Sequence, residues 1–201
     1  MTLRDYLISQ FEHPRGPVGW VVGWLLALKN RARNAWLIEI VDPQPRDRIL
    51  EIGFGPGVTL AALAARVGDG SVAGLDHSAV MVAQARRRNR AAVAAGRMDV
   101  RLGSAASLPF DEGTFDKVCA SNVNLFWADE VAALREINRV LCSQGRLVIA
   151  LQPRWVRSEE EMGRTARELD DRFRAAGFVA VRVQRKPMQP VDCLCAIGQK
   201  E

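Results

Sequence analysis

Three glycines at alternating positions follow a short apolar run that contains one acid. The run is residues 49–52, its acid is Glu51, and the glycines are Gly53, Gly55 and Gly57. An apolar run that ends in glycines is typical of a buried parallel strand that turns sharply into a loop. Because glycine has no Cβ, such a loop can adopt positive φ and let a ligand lie directly against the backbone.

The spacing of the glycines indicates which ligand the loop takes. A dinucleotide site has the pattern G-x-G-x-x-G, and its pyrophosphate sits at the N-terminus of the following helix. Here the third glycine comes one residue early, at Gly57, and Val58 occupies the place of the pattern's glycine. The carboxylate of Glu51 would repel a pyrophosphate and favour a cationic ligand. The alternative is a structural turn or a degenerate nucleotide loop.

A second acid ends the next predicted strand. Asp76 lies nineteen residues beyond Gly57, and strand geometry brings it back beside the glycine loop. A carboxylate at that place can accept hydrogen bonds from both hydroxyls of a ribose. The alternative is that Asp76 caps the helix that begins after Ser78.

Residues 50–57 and 74–81 resemble the first two motifs of the class I S-adenosylmethionine-dependent methyltransferases, the first of which reads hydrophobic-Glu-hydrophobic-Gly-x-Gly-x-Gly. The resemblance implies S-adenosyl-L-methionine as the cofactor, which carries an ammonium and a sulfonium and no phosphate. It also implies that Asp76 holds the ribose and that His77 and Met81 contact the adenine, although His77 is alternatively an exposed side chain. The implied cofactor-binding residues of these motifs are Glu51, Gly53, Phe54, Gly55, Gly57, Asp76, His77 and Met81.

Two later segments complete the implied cofactor site. Residues 103–110 resemble the family's Gly-Asp-Ala-x-x-Leu-Pro-Phe, with Ser104 in place of the acid that accepts a hydrogen bond from the adenine amino group. A hydroxyl accepts more weakly than a carboxylate, so this departure weakens the expected contact, while the backbone N–H of Ala105 can still contribute. Asn122 ends the fourth predicted strand, and its backbone carbonyl is expected to bind the ammonium.

Alternating strand and helix patterns between residues 46 and 151 predict a parallel sheet with helices on both faces. Strands are predicted at residues 48–52, 71–76, 99–102, 115–121, 146–151, 178–183 and 191–198. Helices are predicted at residues 30–41, 58–67, 79–95, 130–141 and 159–176. The resemblance covers residues 46–198 and implies an α/β, doubly wound, Rossmann-like sheet of seven strands in the order 3-2-1-4-5-7-6, with strand 7 antiparallel.

We expect one methyltransferase domain, 1–201, made of an N-terminal helical cap, 1–44, and an S-adenosylmethionine-binding core, 45–201. The apolar run 18–28 has eleven residues, fewer than the roughly 20 that span a membrane. The cap is expected to cover the substrate pocket, and the alternative is that it covers an edge or face of the sheet. The expected pocket residues are Trp20, Trp24, Leu28, Phe126 and Trp127. The alternative is that these side chains belong to the hydrophobic core. If the acceptor must lose a proton, the weak candidate bases are His13 and Glu12.

The net charge of +5 is carried mostly by arginine, and a basic balance is compatible with nucleic acid or an anionic membrane as partner. The densest cluster spreads around a helix, which favours a solvated face; it comprises Arg86, Arg87, Arg88 and Arg90. A tryptophan-rich segment with basic flanks raises the hypothesis of peripheral contact with an anionic membrane; the flanks are Arg15, Lys29, Arg31 and Arg33. Four cysteines without a C-x-x-C pair indicate packing residues of a reducing cytoplasm and no metal site. With no signal-peptide pattern, we expect a cytoplasmic protein.

Residues 107–110, 115–118 and 135–141 resemble the branch that contains quinone-biosynthesis C-methyltransferases and many small-metabolite enzymes. Residues 121–124 differ from the Asn/Asp-Pro-Pro-Tyr/Phe motif of enzymes that methylate nucleic-acid bases. We therefore expect methyl transfer to a small, hydrophobic metabolite by in-line displacement, which requires alignment and exclusion of water. The alternatives are an RNA- or protein-directed methyltransferase and a non-catalytic S-adenosylmethionine-binding protein. The sequence indicates neither the acceptor atom nor the oligomeric state.

Overall fold

A seven-stranded sheet forms the centre of the protein in the computed structural model, which describes residues 30–123 and 127–201. The strands are β1 Arg48–Ile52, β2 Ser71–Asp76, β3 Met98–Leu102, β4 Phe115–Ser121, β5 Leu141–Leu151, β6 Val179–Lys186 and β7 Cys193–Gln199. Their order is β3-β2-β1-β4-β5-β7-β6. Strands β1 to β5 pair in parallel, whereas β7 is antiparallel to both β5 and β6. This arrangement confirms the predicted fold class, strand order and direction of strand 7.

The described helices lie on both faces of this sheet. They are α1 Arg31–Val41, α2 Val58–Ala64, α3 Ala79–Arg88, α4 Arg90–Ala94, α5 Glu130–Val140 and α6 Glu159–Ala175. Side-chain caps define several of their starts, because the oxygens of Ser78, Asp129 and Ser158 accept hydrogen bonds from N–H groups in the first turn. Among the described residues, none of the helices has the length and apolar character that a membrane span requires.

The sheet separates two hydrophobic layers. Neighbouring residues Ile49 and Leu50 on β1 are both fully buried but belong to different layers, since successive side chains of a strand point to opposite faces. One layer is covered by α5 and α6, with Ile137 and Phe173 among its buried side chains. The other is covered by α1, α2 and α3, with Leu60 among its buried side chains.

Helix α1 packs on a face of the sheet. Its buried side chains Trp36, Leu37 and Val41 join the layer that also contains Cys119 of β4 and Val148 of β5. Residues 31–41 of the expected cap thus form a helix on a face of the sheet. The division into a cap, 1–44, and a core, 45–201, stays a prediction. Residues 1–29 lie outside the described residues, and their expected role as a cap stays a prediction.

Strands β1, β2 and β4 have the predicted bounds, and the two largest departures from the prediction are at residues 79–95 and 141–145. The helix expected at 79–95 is divided at Asn89, whose side-chain amide donates hydrogen bonds to the carbonyls of Ala85 and Gly57 at 2.9 and 3.1 Å. The turn expected at 143–145 is present as a bulge inside β5, in which Gln144 has a φ of 64°. That strand begins at Leu141, which pairs with Phe115, and the register then shifts at an irregularity in the ladder.

Three of the four cysteines are packing residues. Cys119, Cys193 and Cys195 are free thiols and fully buried, and all three belong to the layer beneath α1 and α2. Within the described residues, no cluster of histidine, cysteine and acidic side chains is arranged to hold a metal ion.

Close packing at Gly74 of β2 gives a stability prediction. A Cβ at Gly74 would lie 2.6 Å from the Phe54 ring and 2.9 Å from the Leu60 side chain. We expect Gly74→Ala to lower the free energy of unfolding by about 1–3 kcal/mol, as overpacking of a core does. The measurement is urea denaturation, with Gly68→Ala as the matched control, because a Cβ there meets no described atom within 4 Å. Equal stability of the two variants would contradict the packing argument.

Candidate cofactor and acceptor site

The glycine loop after β1 has the backbone conformation that the sequence predicts. Gly53, Gly55 and Gly57 have φ of 69°, 54° and 75°. A Cβ at Gly53 would lie 2.1 Å from Val123, and one at Gly57 would lie 2.7 Å from Ala85. By contrast, no described atom lies within 4 Å of a Cβ position at Gly55. Two of the glycines therefore allow close packing, and the middle one presents bare backbone to an open space.

Asp76 ties this loop to the start of α3. One carboxylate oxygen accepts the N–H of Gly55 and the other accepts the N–H of Ser78, both at 2.9 Å. The side chain is only 5% exposed. Burial raises the pKa of Asp76, and the hydrogen bonds from Ser78 and Gly55 partly offset that rise. The carboxylate thus organises the helix start, as the capping alternative held, and it lies at the glycine loop, as the ribose-binding prediction requires.

Glu51 carries a buried carboxylate with one unused oxygen. The residue is 2% exposed. It is hydrogen-bonded to the Thr59 side chain and the Leu60 backbone, yet its Oε2 has no hydrogen-bond partner within residues 30–123 and 127–201. Burial is the main cause that raises its pKa well above the usual range, and the nearby charge of Asp76 raises it further. A buried carboxylate in this state favours a cation close by.

Asn122 is held at the ends of β4 and β5, beside the glycine loop. Its backbone has φ of 58°, its N–H donates to the Ala150 carbonyl at 2.9 Å, and its side-chain oxygen accepts the N–H of Gln152 at 2.7 Å. The next residue, Val123, lies against Gly53. The structure therefore brings Glu51, the three glycines, Asp76 and Asn122 to one edge of the sheet.

The adenine residues predicted from the motifs lie in different surroundings. The Ser104 hydroxyl is exposed and accepts the N–H of Ala106 at 3.2 Å, while Ala105 is buried. The His77 ring is about half exposed. Met81 and Phe54 are both buried in the layer beneath α1, α2 and α3. Contact of these residues with the cofactor stays a prediction.

Most residues predicted for the acceptor side lie outside the described residues. They are the pocket residues Trp20, Trp24, Leu28 and Phe126 and the candidate bases His13 and Glu12. Trp127 is described, and it is partly buried against the layer beneath α5 and α6.

One residue at this edge was interpreted incorrectly from the sequence. Arg33 was expected on an outward basic flank, but it is 4% exposed. Its guanidinium donates to the Ser121 hydroxyl at 2.8 Å and to the Gln152 side-chain oxygen at 3.4 Å. The signal that could have placed it inside is helical spacing, because Trp36 and Leu37 follow three and four residues later.

Comparison with known proteins decides the family. The methyltransferase domain profile matches residues 49–145. The uncharacterized methyltransferase YdaC of Bacillus subtilis (strain 168) is 31% identical over 183 residues, which cover 90% of this chain and 98% of that protein. The chain belongs to the class I S-adenosylmethionine-dependent methyltransferases. It is therefore an enzyme that uses S-adenosyl-L-methionine as its methyl donor, as the motifs implied.

Two more distant similarities agree with this assignment. The ubiquinone/menaquinone biosynthesis C-methyltransferase UbiE of Geotalea daltonii is 28% identical over 121 residues, 60% of this chain and 52% of that protein. The chain therefore matches about half the length of that enzyme. The methyltransferase solved in complex with the Haloferax volcanii Trm112 methyltransferase activator has a TM-score of 0.73 at 21% identity, over 99% of both chains. This last similarity shows a shared fold.

The raised pKa of Glu51 gives a prediction about the methyltransferase without bound ligand. The carboxyl group of Glu51 binds its proton more tightly in the folded protein than in the unfolded chain, where its pKa is near 4.5. The free energy of unfolding therefore falls as the pH rises above that value. Glu51→Gln removes this contribution. We therefore expect the melting temperature of the variant, relative to wild type, to rise between about pH 5 and pH 8. The measurement is thermal unfolding followed by circular dichroism, with exposed Glu160→Gln as the control. A difference that stays constant with pH would contradict the assignment.

Proposed function

We propose that this methyltransferase binds S-adenosylmethionine through Glu51, Gly55 and Asp76 and methylates a small metabolite with an apolar body. One observation carries the proposal: a buried carboxylate oxygen without a described partner lies just before a loop whose middle glycine is open. Such a site fits a ligand with a positive charge that must approach the backbone closely. The ammonium and the slender methionine portion of S-adenosylmethionine have those properties.

Each residue has a role that follows from its position. Glu51 would hold the ammonium, and Asp76 would accept the ribose hydroxyls with the acceptor capacity left after its backbone hydrogen bonds. Asn122 would add its backbone carbonyl on the β4 side. When bound, S-adenosylmethionine supplies a methyl group activated by its sulfonium. The protein then has to hold the acceptor's nucleophile about 3 Å from that carbon and in line with the breaking bond, with water excluded.

A small acceptor is supported by relatives and by the end of β4. The relative UbiE, which matches this chain over 121 residues, is named as a ubiquinone/menaquinone biosynthesis C-methyltransferase. Residues 121–124, at the end of β4, read Ser-Asn-Val-Asn and contain no proline, whereas base methylation of nucleic acid uses an Asn/Asp-Pro-Pro-Tyr/Phe clamp. These observations favour a small molecule over a flipped base.

The arginines of α3 weaken the alternative of an RNA- or protein-directed enzyme. The Arg86 guanidinium donates to the Val100 carbonyl at 2.7 Å, and Arg88 donates to the Pro56 carbonyl at 2.9 Å. These two side chains are directed to the protein's own backbone. They therefore do not form the outward basic stripe that phosphate binding requires.

Calorimetry tests the cofactor site. We expect micromolar binding of S-adenosylmethionine and of its demethylated product, and no comparable binding of NAD. Asp76→Ala and Gly55→Val should each weaken binding about tenfold or more, through loss of the ribose contacts and by filling the open space at the loop.

The matched control is Gly96→Val, because Gly96 also has positive φ and open space around its Cβ position but lies after α4. It should share the backbone strain of Gly55→Val and keep wild-type affinity. Tight NAD binding, or equal loss of affinity in both valine variants, would overturn the cofactor assignment at this loop.

Transfer of labelled methyl groups to a cell extract tests the acceptor class. We expect the label in the fraction that passes a small-molecule filter, and we expect it to persist after ribonuclease and protease treatment. RNA binding, measured in parallel, should lack a steep dependence on salt. Label that is retained with RNA or protein would favour the alternative instead.

A further inference from the structure

Arg33 is a buried cation at the carboxyl ends of β4 and β5. Helix α1 carries it on the sheet-facing side, where its guanidinium bonds the Ser121 hydroxyl at the end of β4 and Gln152 just after β5. Both partners are neutral. They use two of the five N–H donors of the guanidinium. None of the ion pairs within 4.0 Å among the residues that the structure describes includes Arg33.

The charged groups that act on Arg33 do not include a described acid. Burial is the largest cause that lowers the pKa of Arg33, to about 10; the neighbouring Cys193 raises that pKa, and the charge of Arg154 lowers it. Arg33 therefore stays protonated at neutral pH. The neighbouring Cys193 does not balance it, because burial raises the pKa of that thiol to about 11. Arg154 thus adds to the positive charge that Arg33 carries at this strand end.

The partners of Arg33 are themselves held by other bonds. The Ser121 hydroxyl donates to the Asn34 side chain at 3.1 Å. The Gln152 amide donates to the carbonyls of Gln189 and Val191 at 3.0 and 2.8 Å. These contacts fix the guanidinium in one orientation. A buried, oriented arginine without an acid is energetically unfavourable unless an anion pairs with it.

We propose that Arg33 binds an anionic group of the methyl acceptor, such as a carboxylate or a phosphate, and so determines which acceptors the enzyme takes. Ser121, which bonds Arg33, is directly followed by Asn122, so an anion at Arg33 would lie at the same strand end as the proposed cofactor site. Arginine binds carboxylates and phosphates through paired hydrogen bonds that also fix their orientation. This inference rests on the proposed function, since it narrows the class of small acceptor.

The test uses two anionic probes and one neutral probe on the full chain saturated with S-adenosylhomocysteine. Sodium benzoate and inorganic phosphate are titrated by calorimetry, with benzamide as the uncharged match for benzoate. We expect wild type to bind at least one anion and not benzamide. Arg33→Gln should weaken anion binding about tenfold or more, and Arg33→Lys should keep part of it. The control Arg31→Gln, two residues earlier on the exposed side of α1, should bind as wild type does.

Three outcomes would overturn the inference alone, provided that S-adenosylhomocysteine still binds: no anion binding by wild type, equal binding of benzamide, or unchanged affinity in Arg33→Gln. Failure of wild type to bind S-adenosylhomocysteine would instead overturn the proposed function. If Arg33→Gln does not fold, Arg154→Gln takes its place, because removal of the neighbouring charge should also weaken anion binding. A lowered melting temperature with unchanged anion affinity would show that Arg33 is a structural residue.

Discussion

The Asp76 carboxylate is the contact on which the candidate site depends. With one oxygen on the N–H of Gly55 and the other on the N–H of Ser78, it joins the loop after β1 to the first turn of α3. The orientation of α3 in turn places Ala85 and Asn89 against Gly57. Because a single buried side chain holds both segments, the shape of the loop and the position of the helix are determined together.

Charge is distributed unevenly along the carboxyl edge of the sheet. Two buried acids, Glu51 and Asp76, lie at the ends of β1 and β2, and each is costly to ionise there. Arg33 and Arg154 lie at the ends of β4 and β5 without a described acid near the former. A buried charge without a partner is destabilising. The separation of the acids from the arginines agrees with the two sites proposed above, one for the ammonium of the cofactor and one for an anionic group of the acceptor.

Local sequence patterns predicted the bounds of the central strands well. They failed where contacts with residues far along the chain determine where an element begins or ends. Strands β1, β2 and β4 are apolar runs between clear turn signals, and their bounds agree with the structure. The polar segment 143–145 also has the pattern of a turn, but it forms a bulge within β5, because Leu141 before it and Arg146 after it both pair with β4. The break at Asn89 depends on the Gly57 carbonyl, 32 residues earlier in the chain. Neither pairing can be read from a short window of sequence.

Contacts with distant residues also explain why the position of Arg33 differs from the one expected from the sequence. Composition suggested an outward basic flank, while the spacing of Trp36 and Leu37 placed the same face of α1 inside. The structure follows the apolar spacing, and the strand ends that receive Arg33 are contributed by Ser121 and Gln152, 88 and 119 residues further along. A lysine or arginine on a surface needs no explanation, but a buried one without an acid does. The apolar spacing of α1 buries a face that carries a charge, and it is this conflict that makes Arg33 a candidate for binding an anion.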